Sequence, residues 1–514
     1  MRNHLSKPAT IAIRNHLTLR KVTPEPNWDI VLPPIDETNG PRYLQLMRAL
    51  IRHIETHHVP SGVRLPSSRQ LAYSLGVGRN TVILAFDALI EQGYLISKNR
   101  SGIRVANLGR PSASPASLGV ASSTLDWTDR FSFTHLDGPP FTVDSKGSKE
   151  VRHSFLYGQF DQSLFPIGPW RECERAALGV LEIAHWGRDM VDEDDQELVD
   201  QLRANVLPYH GIWAKPDEIL VTLGGQEGRY LVARLLCKSG VRVGIENPGM
   251  PDMNMILGLT GATRVYLDVD GHGMVPSSAL DSCNVVFTTA GHQCPTAVTM
   301  PVSRRLALLE SAKQQDFVIV EDTFETESLL QTEDSPSLKS MDDDGRVIYI
   351  GSLSKLLAPG LRIGVVVAPP VVIQQLRALR RLIHRHPPGN TQRALAIFIE
   401  RGYYRSYVRR AAKELDNRGS LLESELRKQL PDFRWYHQSG TANFWIEMPL
   451  HVDGQRLASA AKRQGVLIEA GDKFYHCAPR PTNFLRVGIS SATKDSIKDG
   501  VRILAELYRS FSAN

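Results

Sequence analysis

Lys355 closes the stretch Ser352-Leu353-Ser354-Lys355, just after an apolar run, Val347–Ile350, that reads as a strand. A lysine at a strand end, partly withdrawn from water, gives up its proton and condenses as a free amine with a carbonyl to form a Schiff base. A second run, Phe317–Val320, leads directly into Glu321-Asp322, where a carboxylate can salt-bridge a pyridine nitrogen and keep it protonated as an electron sink. Thr222-Leu223-Gly224-Gly225-Gln226-Glu227-Gly228 opens a helical pattern carrying Leu231-Val232 and Leu235-Leu236. A glycine turn before a helix offers free N–H groups and the positive end of the helix dipole to a phosphate. Arg362, ending Pro359-Gly360-Leu361-Arg362, adds a cation for that phosphate, and Arg486 in Phe484-Leu485-Arg486-Val487-Gly488 can fork onto a carboxylate. Each motif alone has a plainer reading: a loop, an exposed acid, a solvated lysine. Their joint order along one chain selects the chemistry.

The elements that must position these residues are visible as well. Beyond residue 215, apolar β-rich runs at Ile219–Thr222, Val241–Ile245, Val265–Val269, Val285–Thr288, Phe317–Val320, Val347–Ile350 and Gly364–Ala368 alternate with helical patterns. That alternation predicts an α/β domain with a mostly parallel sheet and its function at the strand ends.

The N-terminal part reads differently. Leu44, Met47, Ile51 and Ile54 recur at helical spacing, and Pro60-Ser61-Gly62 ends that helix. Ser67-Ser68-Arg69-Gln70 is a capping box for a short helix through Leu71 and Leu75. Gly76-Val77-Gly78 turns the chain into a helix with Val82, Phe86 and Leu89 inward, and Tyr94–Ser97 and Ile103–Val105 follow as a hairpin around Lys98 and Arg100. The order is that of a winged helix-turn-helix. Its recognition helix begins at Arg79-Asn80-Thr81, donors placed to reach base edges in a major groove, while Arg64, Arg69, Lys98 and Arg100 are placed for phosphates.

Composition supports the division. The 514 residues allow two to four domains, and 42% hydrophobic with 22% charged residues excludes a wholly disordered or fibrous chain. Residues 41–105 carry nine Lys/Arg against three acids, so the net charge of +5 is concentrated in about an eighth of the chain. Such a basic module on a near-neutral body is an electrostatic footprint for nucleic acid. Ala106–Thr124 holds nine Ser, Pro or Gly in nineteen residues and reads as a tether. The longest apolar stretch, Ile363–Ile373, is too short to span a bilayer, so no membrane partner is expected. Five widely spaced cysteines without a CxxC pair argue against disulfides or a zinc site, leaving no metal expected and pointing to a reducing cytoplasm. The expected organisation is an N-terminal arm (1–40), a winged helix-turn-helix (41–105), a linker (106–150), a large domain (151–370), and a long helix with a C-terminal α+β small subdomain (371–514).

Arg64-Leu65-Pro66-Ser67-Ser68-Arg69-Gln70-Leu71-Ala72, then Leu75-Gly76-Val77-Gly78-Arg79-Asn80-Thr81-Val82 and Gly93-Tyr94-Leu95, resemble the GntR family. The resemblance makes Arg69 and Arg79 the foremost DNA contacts, with Ser67, Asn80 and Thr81 beside them. In two departures, Gly78 replaces the usual cap serine and Arg100 a wing glycine. Residues 155–510 resemble a fold-type I aminotransferase. With the reader attached, the whole resembles a MocR/GabR-type regulator, as Pro41-Arg42-Tyr43-Leu44-Gln45, His292-Gln293-Cys294-Pro295-Thr296 and Ala358-Pro359-Gly360-Leu361-Arg362 indicate.

That resemblance implies pyridoxal 5'-phosphate as cofactor. Lys355 would form the Schiff base, Asp322 hold the ring nitrogen, Gly225, Gln226 and Arg362 the phosphate, with Cys294, Ser352 and Ser354 completing the cofactor set. Arg486 would take the carboxylate of a small amino compound acting as effector. It further implies a homodimer on double-stranded DNA and a regulator sensing through Schiff-base exchange, not an enzyme beyond residual transamination. An active aminotransferase with an accessory DNA-binding module, and a regulator that has lost the cofactor, stay open, as does the effector: glutamine, GABA, taurine, D-alanine and vitamin B6 all fit the family. Met250 and Phe324 stand where the family has tyrosines, Thr323 replaces an acid, Ala297 a glycine, and Asp194–Val199 lacks the usual glycine and arginine. A neutral hydrogen bond or an aromatic stack is worth on the order of 1 kcal/mol, so the expectation is a cofactor held less tightly and turned over poorly.

Overall fold

A computed structural model of the chain describes residues 40–56, 59–98, 102–108, 130, 152–323 and 336–512. It divides into two compact units, Met1–Trp127 and Thr128–Asn514. The arm, most of the linker, Arg100 and Phe324 lie outside the described residues, as do the side chains of Lys98 and Ser354.

In the first unit, helices Arg42–Thr56, Ser68–Ser74 and Arg79–Glu91 are followed by β1 (Leu95–Lys98) and β2 (Gly102–Val105), paired antiparallel with Leu95 opposite Val105. Ser67 caps the second helix through the expected capping box. The third helix starts at Gly78 with no side-chain cap. Gly93, at φ +76, reverses the chain into the hairpin, and the Tyr94 amide donates back to Leu89; only glycine takes that backbone without strain. The core is Leu46, Leu50, Ile54, Leu71, Val82, Phe86, Leu89, Leu95 and Val105. This corrects the expected face of the first helix. Leu46 and Leu50 are buried, whereas Met47 and Ile51 pack at the margin, because the winged module covers a stripe rotated from the one the spacing suggests.

In the second unit, β3 (His153–Ser154) precedes a sheet of β4 (Ile219–Thr222), β5 (Arg242–Asn247), β6 (Thr263–Asp270), β7 (Gly273–Met274), β8 (Val285–Thr288), β9 (Val318–Thr323), β10 (Val347–Ser352) and β11 (Gly364–Val367). The spatial order is β4-β11-β10-β9-β8-β5-β6-β7. β10, β9, β8, β5 and β6 run parallel, while β11 is antiparallel to both its neighbours and β7 to β6. Val366 packs with one hydrophobic cluster and Val365 and Val367 with another, the alternation of a strand buried on both faces. Helices Gly224–Leu236, Pro370–His384 and Gly389–Glu400 contribute to those layers. Asp322 lies inside β9, not after it as the apolar run suggested, because the strand continues through Glu321 and Asp322 to Thr323.

The chain then runs through the 27-residue helix Tyr403–Gln429 into β12 (Arg434–His437), β13 (Asn443–Glu447), β14 (Val466–Leu467), β15 (Glu469–Ala470) and β16 (Phe484–Gly488). Four of these form a sheet in the order β12-β13-β16-β15, while β14 pairs parallel with β3, His153 opposite Val466. That pairing, and the Gly488 amide donating to the Phe155 carbonyl at 2.7 Å, carries the segment after β3 onto the C-terminal sheet. Among the described residues no helix is long and apolar enough to cross a membrane.

Candidate functional site

The C-terminal ends of β4, β9 and β10 carry Gly224, Gly225, Asp322 and Lys355, whereas Arg486 lies on β16 of the C-terminal sheet. At the end of β4, Gly224 adopts φ +74, and the following helix begins at that residue. Arg362, held in the left-handed region at φ 53 after the turn Pro359–Leu361, donates through Nη2 to the Leu223 carbonyl at 2.8 Å. A Cβ on Gly224 would lie 3.1 Å from the Arg362 guanidinium carbon, and one on Gly225 would lie 3.7 Å from the Ser352 Cβ. The helix start at Gly224 and the Arg362 guanidinium thus lie side by side, groups of the kind that hold a phosphate. Gln226 stands beside them, but its side chain is engaged elsewhere: Nε2 donates to Asp252 at 3.1 Å, and Oε1 accepts from Arg229 at 2.7 Å.

Asp322 is buried and lines a cavity with Glu246, Met250, Met253, Thr288 and His476. Its carboxylate accepts from Arg229 Nη1 at 2.8 Å, a partner absent from the sequence candidates. Burial pushes the Glu246 carboxyl upward, against hydrogen bonds from Thr289, Thr288 and Gln293. Burial lowers His476 to about 4, which keeps it neutral near pH 7. Met250 therefore lines the cavity where a ring-stacking tyrosine was expected. Thr323 turns its hydroxyl to the Ile350 carbonyl at 2.7 Å, into the sheet.

Lys355 sits in the short helix Ser354–Leu357 beyond β10. Its Nζ lies 4.4 Å from the centroid of the Tyr157 ring, and the Arg486 guanidinium carbon lies 3.8 Å from the same centroid. Arg486 is fully buried on β16, and its Nε donates to Asn443 Oδ1 at 3.0 Å. Asn443 in turn donates to the Pro295 carbonyl. Tyr157 thus joins the amine to the buried cation, and nothing in the sequence marked it beyond its being an aromatic in a segment that looked structured. A largely apolar cavity opens on Lys355, lined by Tyr157, Phe160, Leu164, Tyr407 and Leu415.

Cys294 is fully buried, and burial raises its thiol to about 12. Its backbone amide donates to Thr289 Oγ1 at 3.0 Å and its carbonyl accepts from Gln293 Nε2 at 2.8 Å. Ala297 keeps φ +60, so the departure from glycine there carries left-handed strain of about 1 kcal/mol. Asp195 caps the helix Gln196–Asn205 through Leu198, while Asp194 accepts from Arg377 and Arg380. These contacts occupy the stretch that lacks the usual glycine and arginine.

In the first unit, Arg64, Ser67, Arg69, Arg79 and Asn80 are exposed and Thr81 is half-buried. Ser67 spends its hydroxyl on the cap. Arg79 Nε reaches Ser68 Oγ at 3.4 Å, linking the two helices of the turn. Arg64 lies beside the wing, 3.0 Å from the Cβ position of Gly102. Tyr73, 91% exposed on the second helix, is an aromatic that sequence spacing did not single out.

Residues 193–504 match the family described as aminotransferase class I and II, and residues 42–105 match the bacterial regulatory proteins of the gntR family. The chain is 39% identical over 448 residues to the HTH-type transcriptional regulator TauR of Rhodobacter capsulatus, covering 87% of this chain and 92% of that protein. It is 27% identical over 497 residues to the probable rhizopine catabolism regulatory protein MocR of Rhizobium meliloti, covering 92% and 94%. Among solved structures, an archaeal alanine:glyoxylate aminotransferase superposes with a TM-score of 0.69 at 26% identity, over 75% of this chain and 100% of that one. The α-aminoadipate aminotransferase LysN of Thermus thermophilus superposes at 0.65 with 23% identity, over 76% and 100%, which speaks for the fold alone.

Proposed function

Because the chain belongs to the aminotransferase class I and II family and carries a gntR-family reader, which makes it a transcriptional regulator of the MocR/GabR type, we propose that its large domain senses a small anionic amine and does not turn it over. The observation that carries this reading is the Tyr157 ring, shared by the Lys355 amine and the buried Arg486 guanidinium. An amine bearing a carboxylate or sulfonate finds there a covalent handle and a counter-charge.

The aminotransferase fold implies pyridoxal phosphate, and the residues present fit it. Gly224, whose absent Cβ leaves room for the Arg362 guanidinium, opens the phosphate anchor with Gly225. Asp322 faces its cavity as a buried carboxylate, and Lys355 stands at the same edge of the sheet. When bound, pyridoxal phosphate supplies an aldehyde carbon that exchanges one amine for another. Lys355 would hold that aldehyde carbon through its amine and Arg486 would orient the anionic end of an effector amine. The Tyr157 ring, in contact with both Lys355 and Arg486, would carry a change at the amine into the C-terminal sheet. Arg69, Arg79, Asn80 and Thr81 read double-stranded DNA, with Arg64, Lys98 and Arg100 on phosphates. A homodimer in the cytoplasm presents two such readers to paired half-sites.

The test is a fluorescence-anisotropy titration of the full chain, loaded with pyridoxal phosphate, on DNA from its own promoter, with a panel of amino acids and aminosulfonates. The expected result is sequence-specific binding whose affinity one effector class changes at least fivefold in the wild type and leaves unchanged in Lys355→Ala. Absence of specific DNA binding, or the same response in Lys355→Ala, would sink the proposal.

A further inference from the structure

Asp322 has a competitor for the charge it would lend to a ring nitrogen. Arg229, one turn into the helix that opens at Gly224, donates through Nη1 to Asp322 Oδ2 at 2.8 Å, with side-chain exposures of 12% and 7%. Its Nη2 donates to Gln226, and Gln226 donates to Asp252, so the guanidinium is braced from its own helix and aimed at the carboxylate. Other titratable groups near Asp322 are Glu246 and His476 across the cavity, with burial keeping that imidazole neutral, and Lys355 beyond β10. Among the described residues, Arg229 is the side chain hydrogen-bonded to Asp322.

A carboxylate keeps a pyridine nitrogen protonated because its negative charge is close and unshared. A desolvated guanidinium at hydrogen-bond distance cancels most of that charge, and at low local dielectric the loss is large. Resting on the pyridoxal phosphate reading above, we infer that Arg229 is a positioning residue that disarms Asp322. The pair as a whole, being near neutral, would not hold a proton on a ring nitrogen, and an unprotonated nitrogen would take no hydrogen bond from the ionised carboxylate. Amine exchange at the aldehyde carbon does not depend on that proton, whereas withdrawing electrons from an α C–H bond does. Arg229 thus separates sensing from catalysis in one site, and the loss of the two tyrosines is not required for it.

The measurement that needs no variant is the nitrogen-15 chemical shift of ring-labelled pyridoxal phosphate bound to the full wild-type chain. The expected shift is that of a free pyridine nitrogen across pH 6–8, about the range where an ordinary histidine also titrates. Arg229→Met should move it to the protonated position and speed deuterium exchange at the α-carbon of alanine at least tenfold. Arg229→Lys should stay near the wild type. A protonated nitrogen in the wild type would overturn this inference while leaving the sensor reading intact, and so would an Arg229→Met protein that binds the cofactor with unchanged exchange. If wild type binds no pyridoxal phosphate, both fall. Should Arg229→Met fail to fold, the wild-type shift decides alone.

Discussion

Arg362 can rest its guanidinium against the turn after β4 only because Gly224 has no side chain. At φ +74, a Cβ would both strain the backbone by about 1–2 kcal/mol and lie 3.1 Å from the guanidinium carbon. Gly224→Ala should therefore weaken pyridoxal phosphate binding by roughly tenfold, about 1.4 kcal/mol, while leaving DNA binding by the first unit unchanged. Equilibrium dialysis of the cofactor checks the first part and anisotropy on DNA the second; an unaltered dissociation constant would mean that the turn is not the phosphate anchor. The sequence singled out Gly225, Arg362, Lys355 and Asp322 because each sits in a short local motif tied to a strand end, with Gly224 noted only as part of its turn. Arg229 and Tyr157 were not singled out. Arg229 meets its partner 93 residues away, and Tyr157 reaches its position through contacts with β16, more than three hundred residues later.

At the scale of elements, the apolar runs located seven of the eight strands of the large sheet, missing the two-residue β7, since central strands buried on both faces are continuously apolar. What those runs could not show was polar residues continuing a strand, as Glu321 and Asp322 do in β9, or a pairing such as β3 with β14, whose two residues each leave no periodic trace. The reader's first helix shows the same limit from another side, since half its apolar residues lie at the margin of the core. The β3 segment matters to the site because Gly488 packs directly against it. A Cβ on Gly488 would lie 2.6 Å from the Tyr157 Cα, a backbone contact that no rotamer change relieves. Gly488→Ala should displace the Tyr157 ring from both Lys355 and Arg486. Effector response in the DNA-binding assay is then expected to fall more than fivefold, with cofactor binding reduced far less, because Asp322 and the Gly224 turn lie on other elements. Equal loss of both would indicate that the second unit as a whole had been disturbed.

The whole molecule sets a problem that neither unit solves by itself. A single winged module with a charge of +6 binds DNA mainly through phosphates, an attraction with little sequence content and a steep salt dependence. Recognition of paired half-sites would take two modules held at a fixed spacing, which a second copy of the chain could supply. The second unit exposes an apolar cluster on which such a pairing can be tested. Leu178, Val180 and Leu181, around the start of the helix Val180–Trp186, are 57%, 84% and 85% exposed, an apolar cluster that water makes costly for a monomer. If this face joins two chains, Leu181→Asp places a charge in the interface and should convert the dimer to a monomer in sedimentation. It should also abolish specific operator binding while leaving the salt-sensitive, non-specific component, because the residues that touch phosphate are untouched. A Leu181→Asp protein that remains dimeric would remove this face from the interface. One that becomes monomeric yet keeps full operator affinity would show that a single reader suffices.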